Sequence, residues 1–297
     1  MLTNFFSHED IIAFFEQAVF IATGKHFNID EYVFTGGGCI HQAIKLTAGD
    51  NTFFLKWNEN NAADMFACEE KGLELLRKHS SFKIPEVIGR GSVNDKDFLL
   101  LEYLPQHRED SRYWAALGLK LAELHRVKNA NFGLEYDNFI GSLPQYNQQH
   151  ASGVSFFIHQ RLMPTAGMAY YNELFTLDEY RLFEAFYAKL PELIPEEAPS
   201  LLHGDLWSGN IMALEHSEPA IFDPAVYFGL REAELAFTQL FGGFDPIFLH
   251  TYHEAYPLES GFKERIAIYN LYPLLVHLIL FGQSYKDSIL HTIRKYV

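Results

Sequence analysis

The chain has 297 residues, 48% of them hydrophobic, enough to bury a large core in one domain or two lobes. Its 38 acidic and 23 basic side chains give a formal charge of -15, which argues against a nucleic-acid backbone or an anionic membrane surface as partner. Two cysteines, Cys39 and Cys68, with no CxxC pair, indicate neither a disulfide framework nor a thiolate zinc site and fit a reducing cytoplasm.

The opening MLTNFFSHED has no basic segment followed by an apolar run, so no secretory leader is expected. Ser7 and Asp10 ahead of IIAFFEQAVFIA read as a capping box on an amphipathic helix ending near Gly24. EYVFT, QAIKLTA and TFFLKW then read as three strands, the last two joined by a hairpin turn at Gly49-Asp50-Asn51. Gly36-Gly37-Gly38 separates the first two. Apolar residues at Met65, Phe66, Leu73, Leu75 and Leu76 predict a helix over 61–79, and strands follow at IPEVIG and DFLLLEYL.

Beyond Leu104-Pro105 helical patterns dominate, over 113–127, 155–163, 177–190, 232–240 and 262–280. The apolar stretch LYPLLVHLILFG at 271–282 is interrupted by Pro273 and His277 and is shorter than the ~20 residues a bilayer span needs. The expected class is α+β, with a small lobe at 1–103 built on an antiparallel sheet and a larger, mainly helical lobe at 104–297. The junction of two such lobes is where small-ligand clefts form.

The chemistry concentrates in LLHGDLWSGNI, at 201–211. Asp205 precedes Asn210 by five residues, and Asp223 follows Asn210 by thirteen. Phosphoryl transfer needs one carboxylate to orient a hydroxyl and a pair of hard oxygens to hold Mg²⁺ across the ATP phosphates, and these three residues supply that set. A D-x-x-x-x-N alone is more often an Asx-turn or a helix cap. His203-Gly204 before it and the second Asp in register reverse that balance.

The supporting parts appear in matching order. Gly36, Gly37 and Gly38 would let backbone N–H groups approach phosphate oxygens, although the glycines alone make only a glycine-rich hairpin. Lys56, among Phe54, Leu55 and Trp57 on the third strand, stands where a kinase keeps its α/β-phosphate lysine. Glu69 on the next helix is its expected partner, with Glu70 as the competitor. Glu102, Tyr103 and Leu104 lie at the lobe junction, where backbone groups would meet the adenine edge; a plain strand end is the other reading. Trp207, beside the base, offers a flat face to a sugar or a cationic amine, or is a core aromatic.

Other constellations are weaker. His250 and His253 share a helix face without a third ligand nearby, and no G-x-S-x-G elbow is present. Cys39 abuts the glycine run, where converging N–H groups would stabilise a thiolate and oxidation would obstruct phosphate binding; a small packing residue is the alternative.

HGDLWSGN at 203–210, DPAVYFGLRE at 223–232 and LFGGF at 240–244, with GGGCI at 36–40, LEYL at 101–104 and DNFIG at 137–141, resemble the fructosamine kinase (ketosamine-3-kinase) family of the protein-kinase-like superfamily over almost the whole chain. The resemblance implies ATP-dependent phosphorylation of the sugar 3-hydroxyl of ketosamines in deglycation; whether the acceptor is free or protein-bound, and whether the cytoplasmic chain acts as monomer or homodimer, stays open. It implies Asp205 as base, Asn210 and Asp223 as Mg²⁺ ligands, Lys56 and Glu69 as the phosphate-positioning pair and Trp207 as a wall against the ketosamine. Gln149 and Gly153 stand where the family usually has tryptophans, and Glu234 where it has Asp, so acceptor recognition is expected to differ in detail. The rivals are an aminoglycoside- or choline-kinase-like phosphotransferase and a binding-only pseudokinase.

Overall fold

The protein is seen in a computed structural model that describes residues 8–35, 42–59 and 63–297. Strands β1 (Glu31–Phe34), β2 (Gln42–Ala48), β3 (Asn51–Glu59), β4 (Val87–Val93) and β5 (Lys96–Glu102) form one antiparallel sheet in the order β1-β2-β3-β5-β4. Helices α1 (His8–Thr23) and α2 (Ala63–His79) complete the small lobe. The β2–β3 hairpin turns at Gly49, whose φ of +57° suits glycine and whose N–H is held by Asp30 Oδ2 at 2.7 Å.

Alternation along the strands sorts the two faces. Phe53, Leu55, Trp57, Phe98 and Leu100 pack with Ile11, Phe14, Phe15 and Val19 of α1. Leu99 and Leu101 pack instead with Phe66, Leu73 and Leu76 of α2, in a core that continues into the large lobe. Both faces of β5 are covered at its centre, which is why Phe98–Leu101 is an unbroken apolar run. Lys56 lies opposite Leu99 in the ladder and so belongs to the face toward α2 and the large lobe.

Helix α1 can lie close to β4 because Gly89 and Gly91 carry no side chain. A Cβ on either would come within 2.9 Å of Ala22 or Ile21.

The large lobe begins at α3 (Ser111–Leu124), capped by Asp110, whose carboxylate accepts the Tyr113 N–H. A hairpin of β6 (Asn138–Ile140) and β7 (Leu143–Gln145) precedes α4 (Gly153–Phe156), which runs through a π-helical turn at Phe157–Leu162 into α5 (Met163–Tyr171). Helices α6 (Leu177–Tyr187) and α7 (Leu190–Leu193) follow. Four short strands come next: β8 (Ser200–Leu202), β9 (Ile211–Ala213), β10 (Pro219–Ile221) and β11 (Tyr227–Gly229), paired antiparallel as β8–β11 and β9–β10. Helices α8 (Arg231–Thr238), α9 (Pro246–Ala255), α10 (Phe262–Tyr269), α11 (Leu271–Phe281) and α12 (Lys286–Arg294) close the chain.

The helix expected over 262–280 is two helices. Asn270 ends α10 and opens α11, and Pro273 falls in the first turn of α11, where its missing N–H leaves no intrahelical bond unmade. Phe262–Phe281 is the one stretch among the described residues apolar and long enough to cross a bilayer by length and composition, and 56% of its most apolar window is buried within the protein. The helix expected over 155–163 is longer than its pattern, running from Gly153 to Tyr171 through the π turn.

Candidate active site

Lys56 is the polar residue that β3 sends to the lobe junction, and it is 4% exposed. Its Nζ donates to Glu69 Oε1 of α2 at 2.8 Å and also to Asp223 Oδ1, which lies 167 residues further along the chain, in the large lobe. Burial opposes the ammonium, but the two carboxylates outweigh it and hold Lys56 above the usual lysine range. Burial pushes Glu69 up to about 7, against the pull of Lys56. Glu70 turns away and accepts from Arg90 Nε at 2.7 Å.

The loop from His203 to Asn210 joins β8 to β9, and three contacts set its path. Gly204 has φ +85°, and a Cβ there would lie 2.0 Å from the Ala225 carbonyl, so a side chain has no room. His203 Nε2–H donates to the Phe222 carbonyl at 2.9 Å, and its Nδ1 accepts the Asp205 N–H at 3.3 Å. Those roles require the neutral ring, and burial keeps it neutral by lowering its pKa. The Ala225 N–H on the His203 carbonyl and the Phe222 N–H on the Asn210 carbonyl, at 2.9 and 3.2 Å, tie the Asp223 loop alongside.

The side chains of 205, 210 and 223 meet on these loops. Asn210 Nδ2 donates to Asp205 Oδ2 at 3.0 Å, to the Asp205 carbonyl at 2.9 Å and to the Asp223 carbonyl at 3.4 Å. That fixes the amide orientation and turns Asn210 Oδ1 the other way. Asp223 holds φ +57°, a left-handed conformation that Asp tolerates better than most residues. Burial first, and then the Asp223 charge, push Asp205 up to about 7. Asn210 Oδ1 and the Asp223 carboxylate make a pair of hard oxygen donors, a set that fits Mg²⁺, which keeps several waters and shares its remaining positions with phosphate oxygens.

Asp205 and Gly204 line a small cleft in the large lobe. Its walls are aromatic: Phe157 from the π turn, Tyr227 from β11, Phe237 from α8, Tyr269 from α10, and Tyr272 and His277 from α11. Behind two of them lies Arg161, fully buried, with its guanidinium 4.0 Å from the Tyr227 ring centroid and 5.4 Å from that of Tyr272. The same group donates to Asn147 Oδ1 at 2.8 Å.

Trp207 does not line this cleft; its indole lies over Gly209, where an added Cβ would come within 2.3 Å of the ring. At the lobe junction the Glu102 carboxylate accepts from Lys83 Nζ at 2.7 Å, and its N–H is bound to the Glu86 carbonyl at 2.8 Å. Tyr103 lies under Lys45, with Nζ 5.0 Å from its ring centroid, and Leu104 is buried beside Leu214 and Ala220. Gly36, Gly37, Gly38 and Cys39 lie outside the described residues.

Sequence reasoning did not find the structural role of Glu234. Its Oε1 accepts the Gly204 N–H at 2.6 Å, and its Oε2 accepts the His203 N–H at 3.2 Å and His125 Nε2–H at 2.9 Å. His125 Nδ1 in turn accepts from the Tyr252 hydroxyl at 2.8 Å. Burial opposes the Glu234 charge, but these donors outweigh it and hold the carboxyl below its ordinary pKa. The available signal was an acid set within the apolar face of a short helix.

Against this geometry, the sequence model of the fructosamine kinase family matches residues 12–297. A "Probable ketoamine kinase" of Synechocystis sp. is 37% identical over 275 residues, covering 92% of each chain. The crystal structure of a "Putative fructosamine-3-kinase" from Haemophilus somnus 129PT superposes with a TM-score of 0.85 at 29% identity, over 95% of this chain and 96% of that one. The chain belongs to the fructosamine kinase family. As a fructosamine kinase family member it is a kinase-type, ATP-using phosphotransferase. The wider fold is protein-kinase-like: an aminoglycoside phosphotransferase in ternary complex with AMP-PNP and hygromycin B superposes with a TM-score of 0.61 at 16% identity, over 94% of this chain and 98% of that one.

Proposed function

We propose that the chain transfers the γ-phosphoryl group of ATP to the 3-hydroxyl of the sugar in a ketosamine, a ribulosamine, erythrulosamine or fructosamine adduct. Loss of the resulting 3-phosphate then frees the amine, which makes the reaction a cytoplasmic deglycation step. The observation that carries this reading is the convergence of Lys56, Asp205, Asn210 and Asp223 from two lobes beside an aromatic cleft lined by Asp205.

Asp205 Oδ2 is engaged by Asn210, which leaves Oδ1 for the acceptor hydroxyl. Asp205 takes the hydroxyl proton as the oxygen bonds to the γ-phosphorus and the bond to the ADP oxygen breaks. Lys56, oriented by Glu69, contacts the α and β phosphates. Asn210 and Asp223 would hold Mg²⁺, which would supply positive charge to offset that developing on the transferred phosphoryl group. In this reading residues 1–103 bind ATP, through Gly36, Gly37 and Gly38 and through the backbone at Glu102, Tyr103 and Leu104. Residues 104–297 carry the chemistry, and Trp207 flanks the acceptor outside the cleft. The test is ADP release from Mg-ATP with ribulosamine, erythrulosamine, fructosamine and kanamycin acceptors. Turnover with a ketosamine is expected; turnover with kanamycin alone would replace the reading by an aminoglycoside kinase.

A further inference from the structure

The cleft does not end at its walls. His277, which lines it, is also the centre of an aromatic collar on the outer surface: Phe241 lies 4.6 Å from it between ring centroids, and Phe281 and Tyr285 each lie 5.3 Å away. Phe237, inside the cleft, meets Phe241 edge-on at 6.0 Å. Phe241 is 41% exposed and Phe281 45%. Two large rings are thus held in water against residues that line an aromatic cleft, a cost that a ligand relieves.

The collar is fixed to the reacting end. Gly243, two residues after Phe241, approaches Ser208 so closely that an added Cβ would lie 2.6 Å from the Ser208 Cβ. The turn bearing Phe241 is therefore packed on the same loop that carries Asp205.

The collar also lacks charge. His277 Nδ1 donates to the Pro273 carbonyl at 2.8 Å, and burial keeps the ring neutral, so its Nε2 is an acceptor. Lys286, next along the chain from Tyr285, is occupied by Glu179 at 2.8 Å. Arg161 lies behind Tyr227 and is fully buried. Among the described residues, neither Lys286 nor Arg161 is placed to pair with a carboxylate on the ligand.

We infer that the Phe241–His277–Phe281–Tyr285 collar is a subsite for the amine-side substituent of the acceptor, and that it selects adducts of apolar or aromatic amines over adducts of free amino acids. The inference rests on the ketosamine reading above. With the sugar against Asp205, the secondary ammonium faces aromatic rings and the His277 acceptor, and the substituent beyond it lies on Phe241 and Phe281. A carboxylate at that position loses its hydration without gaining a cation.

The experiment compares kcat/KM for the ribulosamine adducts of benzylamine and of glycine, in the native chain, in a Phe241→Ala/Phe281→Ala variant and in Tyr171→Ala, which changes a remote residue 85% exposed. The native chain is expected to favour the benzylamine adduct by roughly tenfold or more, the scale of one well-filled apolar contact. The double variant is expected to bring the ratio near one, mainly through KM, and Tyr171→Ala to leave it as in the native chain. Turnover of both adducts at a native ratio near one, or a ratio unchanged in the double variant, overturns the subsite alone. No turnover of any ketosamine overturns the underlying reading and the subsite with it.

Discussion

Glu234 Oε1 accepts the backbone N–H of Gly204 at 2.6 Å, so the residue just before Asp205 is held by a carboxylate from a helix thirty residues further along the chain. Its second oxygen takes the His203 N–H and the His125 ring. Glu234→Gln replaces one acceptor oxygen with a donor and leaves a buried N–H unmatched. A stability loss of about 1.5–3 kcal/mol is expected, the scale for a hydrogen bond to a charged group. Because the loop bearing Asp205 is what moves, kcat is expected to fall with little change in the KM for ATP. Urea unfolding and initial-rate kinetics on the same preparation check both; an unchanged kcat would remove Glu234 from any positioning role.

Lys56 links Glu69 and Asp223 across the two lobes. Lys56→Met leaves two buried or half-buried carboxylates facing each other without their cation. ATP-dependent turnover is expected to fall about a hundred- to a thousandfold, the range seen when one pre-organised charge donor is removed. Glu69→Gln keeps the shape of the pair and should cost less. ADP release at saturating acceptor distinguishes the two, and the reverse order of severity would contradict the pairing seen here.

Asp205→Asn keeps a side chain of the same size in the cleft but cannot take a proton. The expected loss in kcat is roughly a hundred- to ten-thousandfold, the usual contribution of a positioned base. A loss below about tenfold would mean that Asp205 orients the acceptor rather than deprotonating it.

The His125 ring gives a pH dependence of stability. Nε2–H donates to Glu234 and Nδ1 accepts from Tyr252, so the folded protein needs the neutral form. Burial first, aided by the Arg231 and Lys128 charges and opposed by Glu234, lowers its pKa below the ordinary histidine value. The unfolded chain therefore binds more protons between the folded pKa and about 6.5. The contribution of His125 is complete above that upper limit and is lost as pH falls through the window. His277, lowered by burial, adds to it in the same direction. The thermal midpoint is expected to drop between pH about 7.5 and about 5.5, and His125→Gln, which keeps a donor for Glu234, to flatten the slope. An equal slope in that variant would assign the effect elsewhere.

Lys56 was legible because it interrupts an apolar strand whose neighbours must alternate between two faces. Asp205, Asn210 and Asp223 were legible because one loop and its companion strand fix their spacing. Glu234 was not, since an acid on the apolar face of α8 names no partner until β8 is packed beneath that helix. The aromatic cleft was hidden for the same reason: its walls come from β11, the π turn and three helices, and no local period joins them. The break at Asn270 was written in Pro273, which sits in a first turn more readily than mid-helix.

Arg161 is sealed behind the Tyr227 and Tyr272 rings, on a π-helical turn, with Nη1 and Nη2 donating to the Tyr146 carbonyl and Asn147 Oδ1 of the neighbouring loop. The rings it backs have little freedom to rotate when an acceptor arrives. The ordering entropy of that wall is lost during folding rather than at each encounter, so the acceptor meets a mould already set. Discrimination between sugars then depends on fit to a stiff surface, and small changes behind that surface are felt in front of it.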